Sequence, residues 1–351
     1  MDIVFEPKHE SLNILRTIAR TSTVATLNDA VSAGNLYLVR ILIEHGESID
    51  DASFQTACKR GHTDIVRLLL DLPLDRGINP AALYIVPLRS ACFYGHTEIV
   101  RLLLNLPLDR GINPAANYNE ALRVTCYWGH TDVVHLLLDL PLERGINPAE
   151  QDNEALHSAC RRGHTEIVRL LLDLPLERGV NPAAGDNEAL RRASQHGHTE
   201  IVRMLLDLPL ERGVDPALIS SGALRAACKY GQTEIVRMLL ELPLERNVDP
   251  SARDNEALRY ACSLGYTEIV RMLLDLPFER GVNPAANENA AFRSACVNCH
   301  AEIVRLLLDL PLDRGVNPAA GDNLVLRYAR ANGHTEIIHL LLERGVDNTA
   351  L

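Results

Sequence analysis

Apolar residues alternate between two patterns along this chain. Over residues 120–148, Ala121, Leu122, Thr125 and Cys126 stand at i, i+3 and i+4 separations. That spacing puts them on one face of a short helix, Glu120 to Trp128. Gly129 follows as a stop, because glycine takes positive φ freely. Thr131 opens a second helix, in which Val133, Val134, Leu136, Leu137, Leu138 and Leu140 make a wide apolar face. Pro141 ends that helix, since the residue before a proline is pushed out of the helical region. Gly145 and Asn147-Pro148 mark a turn into an extended link. The predicted unit is helix–turn–helix–loop. Neither helix can bury its apolar face alone, so units must stack on one another.

The unit recurs. The glycine before the second helix falls at Gly61, Gly95, Gly129, Gly163, Gly197, Gly231, Gly265 and Gly333, a spacing of 34 with Cys299 in the one missing slot. A shorter copy lies upstream, at Ala33-Gly34-Asn35 followed by Leu38 to Ile43. Ten units then cover nearly the whole chain after about residue 26. The expected organisation is a cap segment over residues 1–26 and a single all-α repeat solenoid over 27–351, with the last unit (about 324–351) as its C-terminal cap.

A 34-residue period by itself favours a tetratricopeptide repeat, against 33 for ankyrin. The content points the other way. The first helix is short, the link is rich in proline and glycine, and the Trp/Leu-Gly/Tyr pattern of tetratricopeptide units is missing. Gly-His-Thr-Glu-Ile-Val-Arg-Leu-Leu-Leu, as at 163–172, closely resembles the second helix of ankyrin repeats. Leu156-His157-Ser158-Ala159-Cys160 resembles the Leu-His-x-Ala-Ala of their first helix. The resemblance covers about residues 27–351 and implies an ankyrin-type helix–turn–helix solenoid that binds a protein partner. There are departures. Glu154-Ala155 stands where ankyrin repeats carry Thr-Pro, and the link from Gly145 to Leu156 is short. An extra Leu-Pro-Leu, as at 174–176, follows the second helix except in the first and last units. Shortened β-hairpin fingers and a longer ridge at the base of the second helix are the expected consequences.

Composition narrows the class. Hydrophobic residues make up 47% of the 351 and aromatics only 4%, which suits small helices packed through Leu and Ala. A formal charge of -11 repels phosphate and disfavours nucleic-acid binding. The first twenty residues have early charges and no apolar run of signal-peptide length. No uninterrupted apolar stretch reaches membrane-spanning length, and Asn-x-Ser/Thr sequons are absent. A cytoplasmic or nuclear, non-secreted protein with no membrane insertion is expected.

Candidate chemistry is absorbed by the repeat. Cys58, Cys92, Cys126, Cys160, Cys228, Cys262 and Cys296 share one column beside the small Ala of the first helix. There a buried free thiol acts as a small hydrophobe, which fits a reducing compartment. Cys296-Val297-Asn298-Cys299-His300 spells C-x-x-C-H, the pattern of haem attachment. Its first Cys and its His are column residues and only Cys299 is new, so structural residues, with a redox-sensitive pair as the alternative, are expected rather than haem. His62, His96, His130, His164, His198, His300 and His334 share the slot after the glycine, which Gln232 and Tyr266 also occupy. Histidines 34 residues apart do not chelate one metal, so a hydrogen bond tying adjacent loops is the expected role. Arg67, Arg101, Arg169, Arg203, Arg237, Arg271 and Arg305 follow an acid by three residues, as on a solvated helix face. Phosphate loops, nucleophile elbows and zinc-protease motifs are absent. No catalytic residue, cofactor, metal or small-molecule substrate is expected. The closing Thr349-Ala350-Leu351 resembles a PDZ-domain ligand.

Function should then lie where the copies differ. The two positions before the glycine vary most: Lys59-Arg60, Phe93-Tyr94, Tyr127-Trp128, Arg161-Arg162, Gln195-His196 and Lys229-Tyr230, continuing as Ser263-Leu264, Val297-Asn298 and Ala331-Asn332. The resemblance implies that these positions end the first helix and face the ankyrin groove. The run is rich in Tyr, Trp, Arg and His, types that dominate interface hot spots, and it holds the only Trp, Trp128. A partner-binding groove centred on the third to seventh units is expected, with Arg192, Tyr260 and Tyr328 beside it. The link tips Leu83 to Val86 and Leu218 to Ser221 are apolar breaks that could extend it. A scaffold or adaptor, monomeric and bound to one unnamed protein, is the leading reading. An inhibitor that occludes an enzyme or transcription factor, and a substrate receptor of a ubiquitin ligase, are the alternatives. The last of these is disfavoured because no recruiting box follows the repeats.

Overall fold

The structure, a computed structural model, describes residues 26–73, 77–107, 111–311, 314–319 and 323–346. The cap segment before Thr26 and the closing Thr349-Ala350-Leu351 lie outside the described residues. Among the described residues there are twenty α-helices and six short 3-10 turns, and no strand. The chain forms two compact parts, one reaching to Ser158 with Asp173–Gly179, the other Ala159–Leu172 with Val180 onward.

In the N-terminal part, α1 (Leu27–Ser32), α3 (Asp51–Arg60), α5 (Val86–Tyr94) and α7 (Ala116–Trp128) are first helices. Their second helices are α2 (Leu36–Glu44), α4 (Thr63–Asp71), α6 (Thr97–Leu104) and α8 (Thr131–Leu138). First helix packs on first and second on second from repeat to repeat. Helix α9 (Glu150–Arg162) runs from the first part into the second. The C-terminal part continues with second helices α10 (Thr165–Leu172), α12 (Thr199–Leu206), α14 (Thr233–Leu240), α16 (Thr267–Leu274), α18 (Ala301–Leu308) and α20 (Thr335–Glu343). Its first helices are α11 (Ala184–His196), α13 (Leu218–Lys229), α15 (Ala252–Leu264), α17 (Ala286–Val297) and α19 (Leu324–Ala331), and the same like-on-like stacking holds.

The expected faces are the core. Ala121, Leu122, Thr125 and Cys126 are fully buried, as are Val133, Val134 and Leu137. Burying one such Leu or Val contributes about 1.5–3 kcal/mol, so each repeat depends on the neighbour that covers it. Helix α8 stops at Leu138, before the expected Pro141, and Leu136 and Leu140 are half-buried at its edge.

At the base of the second helix, where a longer ridge is expected, the extra Leu-Pro-Leu leads the chain out of the helix and leaves Leu142 and Leu244 exposed. Its last Leu opens a 3-10 turn, Leu142–Arg144 in one repeat and Leu244–Arg246 in another, closed by Gly145 (φ +77) or Asn247 (φ +52). The turn aims an arginine at the second helix of the preceding repeat. Arg144 Nη1 donates to Leu104 O at 3.1 Å, Arg212 to Leu172 O at 3.2 Å and Arg246 to Leu206 O at 3.3 Å. These acceptors are the last residues of α6, α10 and α12, whose carbonyls lack a partner within the helix. A cation there also opposes the negative end of the helix dipole.

The expected hairpin fingers are likewise replaced. Before the right-handed first helix, three successive residues take left-handed backbone: Asn117-Tyr118-Asn119, Gly185-Asp186-Asn187, Arg253-Asp254-Asn255 and Asn287-Glu288-Asn289. Asn, Asp and Gly recur there because they tolerate φ near +60° where other side chains lose about 1–2 kcal/mol. The third residue is buried, and its side chain accepts from the backbone N–H of the following link. Asn119 Oδ1 takes Asn147 N at 2.9 Å, Ser221 Oγ takes Asp249 N at 2.7 Å, and Asn255 Oδ1 takes Asn283 N at 2.8 Å.

Candidate partner-binding surface

The glycine column ends each first helix in left-handed conformation, at Gly61 (φ +78), Gly95 (φ +72), Gly129 (φ +82) and Gly265 (φ +80). A side chain there meets a second obstacle. A Cβ on Gly95 would lie 2.4 Å from the His130 ring of the next repeat. Gly and His are thus one device: the bare glycine leaves room for the ring, whose Nε2–H donates to a carbonyl two residues before the glycine. His130 reaches Phe93 O at 3.0 Å, His96 reaches Lys59 O at 3.0 Å, His198 reaches Arg161 O at 3.0 Å and His300 reaches Ser263 O at 3.1 Å. Gln232 Nε2 reaches Gln195 O at 3.3 Å, which explains why glutamine fills the slot. The tie between loops expected from sequence is this bond. Where Cys299 (φ +62) replaces the glycine, His334 uses Nδ1 and a different carbonyl, Cys296 O, at 3.2 Å.

This device fixes the two residues that precede it. They form the last turn of the first helix, facing away from the Ala-Cys side that packs. In the N-terminal part Lys59, Arg60, Tyr94 and Trp128 are exposed, while Phe93 and Tyr127 are half-buried. The four aromatics form one cluster. Phe93 lies 4.8 Å from Tyr94 and 4.8 Å from Trp128, and Tyr127 lies 5.2 Å from Trp128, ring centroid to centroid. Tyr94 also stacks on His96 at 6.0 Å. Edge and tilted contacts of this kind hold the rings in place while leaving Tyr94 45% and Trp128 42% exposed.

In the C-terminal part the same positions carry three cations, Arg161, Arg162 and Lys229. Arg161, Arg162, His196, Lys229 and Tyr230 are exposed and Gln195 is half-buried. Lys229 Nζ sits 5.6 Å from the Tyr230 ring and 5.3 Å from that of Tyr260. His196 is held below the ordinary histidine value by partial burial and by the charges of Arg161, His198, Arg162 and Arg192 around it. The flanking Arg192 and Tyr260 are half-buried, and Tyr328 is exposed. Farther along the column Leu264, Val297, Asn298, Ala331 and Asn332 are exposed and Ser263 is half-buried.

One link tip is reassigned. Leu83 and Ile85 are buried and anchor the core, so only Tyr84 and Val86 could meet a partner. At the other tip Leu218 is exposed and Ser221 buried. The inter-repeat Asn and Arg ties were not read from sequence, although the recurring Asn-Glu-Ala-Leu and Leu-Glu-Arg-Gly are visible in it.

The column cysteines are all buried and Cys299 is exposed. Burial raises the Cys58, Cys126, Cys160, Cys228 and Cys262 thiols, and pushes Cys92 and Cys296 up to about 12. A thiol held so far above neutrality is not nucleophilic. Under native conditions a disulfide reagent at pH 8 should therefore titrate one thiol, Cys299, of the eight in the chain, and all eight after unfolding. Rapid release from two or more native thiols would sink this assignment and revive a reactive Cys296–Cys299 pair. Among the described residues no three His, Cys, Asp or Glu side chains gather to hold a metal, and no helix is long and apolar enough to cross a membrane.

Solved structures similar to this chain include the ankyrin repeat domain of Bcl-3, described as a unique member of the IkappaB protein family. It is 25% identical, over 62% of this chain and 99% of that one, with a TM-score of 0.43. An ankyrin repeat family protein from Legionella pneumophila is 19% identical over 71% of this chain and 78% of that one, with a TM-score of 0.32. No curated protein matches the chain. A family model of ankyrin repeats in three copies matches residues 27–113, 122–218 and 211–286, well over half of the sequence. With its Gly-His turns, stacked helix pairs and this match, the chain belongs to the ankyrin repeat family.

Proposed function

We propose that this chain is a non-enzymatic scaffold or adaptor that binds a protein partner through the last turns of its first helices. Ankyrin repeats are a general protein–protein interaction module. The observation that carries the reading here is the joined cluster of Phe93, Tyr94, Tyr127 and Trp128, held on the surface of a chain whose aromatics are only 4% of residues. Exposed Tyr and Trp on a rigid support are the side chains on which interface energy concentrates. The 34-residue register runs through residues 27–351, which supports one array capped by residues 1–26 and about 324–351. A monomer in a reducing, cytoplasmic or nuclear setting fits the buried unpaired thiols.

The test is a comparative pull-down from cell lysate, read by mass spectrometry. One bait is wild type and the other carries Tyr94→Ala, Trp128→Ala and Tyr230→Ala, with folding checked by circular dichroism. Each hot-spot truncation weakens binding by about 2 kcal/mol or more, so the folded variant should lose the partner almost entirely. Equal capture by both baits overturns the assignment of this surface.

A further inference from the structure

Two first-helix arginines in this protein, Arg89 and Arg225, pair with a carboxylate of the next repeat, whereas Arg123 donates to Tyr118 O at 3.0 Å and Asn117 O at 3.1 Å in its own turn. In the N-terminal part Arg89 Nε meets Glu120 Oε1 at 2.5 Å. In the C-terminal part Arg225 Nη1 meets Glu256, and only 14% and 17% of the two side chains are exposed. In both pairs the acceptor lies 31 residues after the arginine and opens the next Glu-Ala-Leu. For Arg191 that position is Gly222.

The missing glutamate leaves both a charge imbalance and a space. Arg191 turns back to Glu188 of its own helix, and Glu188 also holds Arg192 Nε at 2.6 Å, so one carboxylate serves two guanidinium groups. The Arg191 side chain is 45% exposed, against 14% for Arg225. Above Gly222 lies a cleft of about 300 Å³ walled by Arg191, Arg225 and Arg253. A second cleft of about 190 Å³ shares Arg191, Gly222 and Arg225 with the first and runs on to Lys229 and Tyr230. Two later repeats also lack the glutamate, but Ala290 and Leu324 put side chains at that place. There Arg259 donates to Arg253 O at 3.4 Å and Arg293 pairs with Glu288 at 3.2 Å.

We propose that the gap over Gly222 receives a carboxylate side chain from an acidic peptide segment of the partner, seated on Arg191 as Glu256 is seated on Arg225. The inference rests on the protein-binding reading above and names the chemistry of the ligand. Charge complementarity selects the occupant. The second cleft is walled by Arg191, Arg225 and Lys229 with no carboxylate among its lining residues, a cationic recess on a chain whose net charge is -11. A nucleic-acid strand fits less well. Its phosphates need cations spaced along a track, and Asp186 and Asp215 on the rim of the first cleft interrupt such a track, whereas a single carboxylate needs only the seat on Arg191.

Gly222→Glu returns the internal carboxylate and so blocks the gap from within. It is sterically open, because a Cβ on Gly222 comes no nearer than 3.8 Å to Arg191 Cδ. Fluorescence anisotropy with a labelled peptide of alternating Glu and Gly, and with its Gln-Gly counterpart, reads the effect. Wild type should bind the Glu peptide at least tenfold more tightly than the Gln peptide. Gly222→Glu and Arg191→Ala should each weaken it at least tenfold with unchanged circular dichroism. Should Arg191→Ala unfold the protein, Gly222→Glu carries the test, since it removes no contact. Equal binding of both peptides, or equal binding by wild type and Gly222→Glu, overturns the proposal. So does displacement of the peptide by oligothymidylate at equal concentration, which assigns the patch to phosphate. A wild-type dimer made monomeric by Gly222→Glu overturns it in favour of a second copy. The two readings fail separately: a partner captured by Gly222→Glu but lost by Tyr94→Ala/Trp128→Ala sinks the carboxylate gap alone and leaves the aromatic surface standing.

Discussion

Replacing Gly95 by alanine is expected to destabilise the protein by about 2–4 kcal/mol, far more than a glycine-to-alanine change at a surface helix end. Three costs combine. Alanine held at the left-handed φ of +72° loses about 1–2 kcal/mol. Its Cβ would fall 2.4 Å from the His130 ring, so the ring must leave its place. Its 3.0 Å bond to Phe93 O then goes with it, a further 0.5–1.5 kcal/mol or so. Urea unfolding followed by circular dichroism measures the sum. Gly222→Ala is the control, since that glycine lies inside α13 at ordinary φ with open space around it. There alanine should stabilise, by roughly 0.5–1 kcal/mol. Equal shifts at the two sites would show that the Gly-His device has been misread. Because the aromatic cluster includes Phe93, whose carbonyl takes the lost bond, partner binding should weaken in the Gly95 variant too.

Asn255→Ala is expected to cost about 2–4 kcal/mol for a different reason. Asn255 is buried at φ +56° and its Oδ1 holds Asn283 N at 2.8 Å. Alanine both resists that backbone and strands the N–H, and an unpaired buried donor costs about 1–3 kcal/mol. Two companion variants separate the contributions. Asn255→Gly restores backbone freedom without the acceptor and should fall between wild type and alanine. Asn255→Asp keeps an acceptor and a residue type tolerant of left-handed φ, so it should be the mildest of the three. If glycine is as costly as alanine, the left-handed turn contributes nothing. If aspartate is as costly, the inter-repeat bond contributes nothing. Denaturant midpoints for the four proteins decide this.

The period of 34, the two helices per repeat, and the buried Ala-Cys and Ile-Val-Leu-Leu faces follow from the sequence alone, because apolar spacing sets which side of a helix can leave water. The histidine bond was legible for a related reason. A slot that accepts His and Gln but recurs every 34 residues suits a local tie better than a shared ligand site. The exposure of the residue directly before the glycine slot follows too, since it lies at the helix end away from the packed Ala-Cys face. What those residues join could not be read. That Phe93 reaches Trp128 one repeat away depends on how far adjacent helices are offset, which no one-dimensional pattern encodes.

The links show the limit most clearly. Their Pro, Gly and Asn content announces a turn, but the same residues serve a hairpin, a 3-10 turn or a left-handed turn equally well. Only stacking selected among them. Asn255 is held left-handed because the next link presents Asn283 N to it, and Arg246 is drawn to the end of α12 because the neighbouring repeat brings Leu206 O within reach. The gap at Gly222 has the same origin. In sequence it is one glycine in a column that also holds Glu, Ala and Leu, but as an unfilled seat beside Arg191 it exists only where two repeats meet. Local propensity and periodicity therefore determined the repeat, its helices and its buried faces. Tertiary stacking decided the turns, the ties and the candidate site, because each is a contact between residues about 30 or more positions apart, whose cost in chain entropy is met only when neighbouring repeats pack.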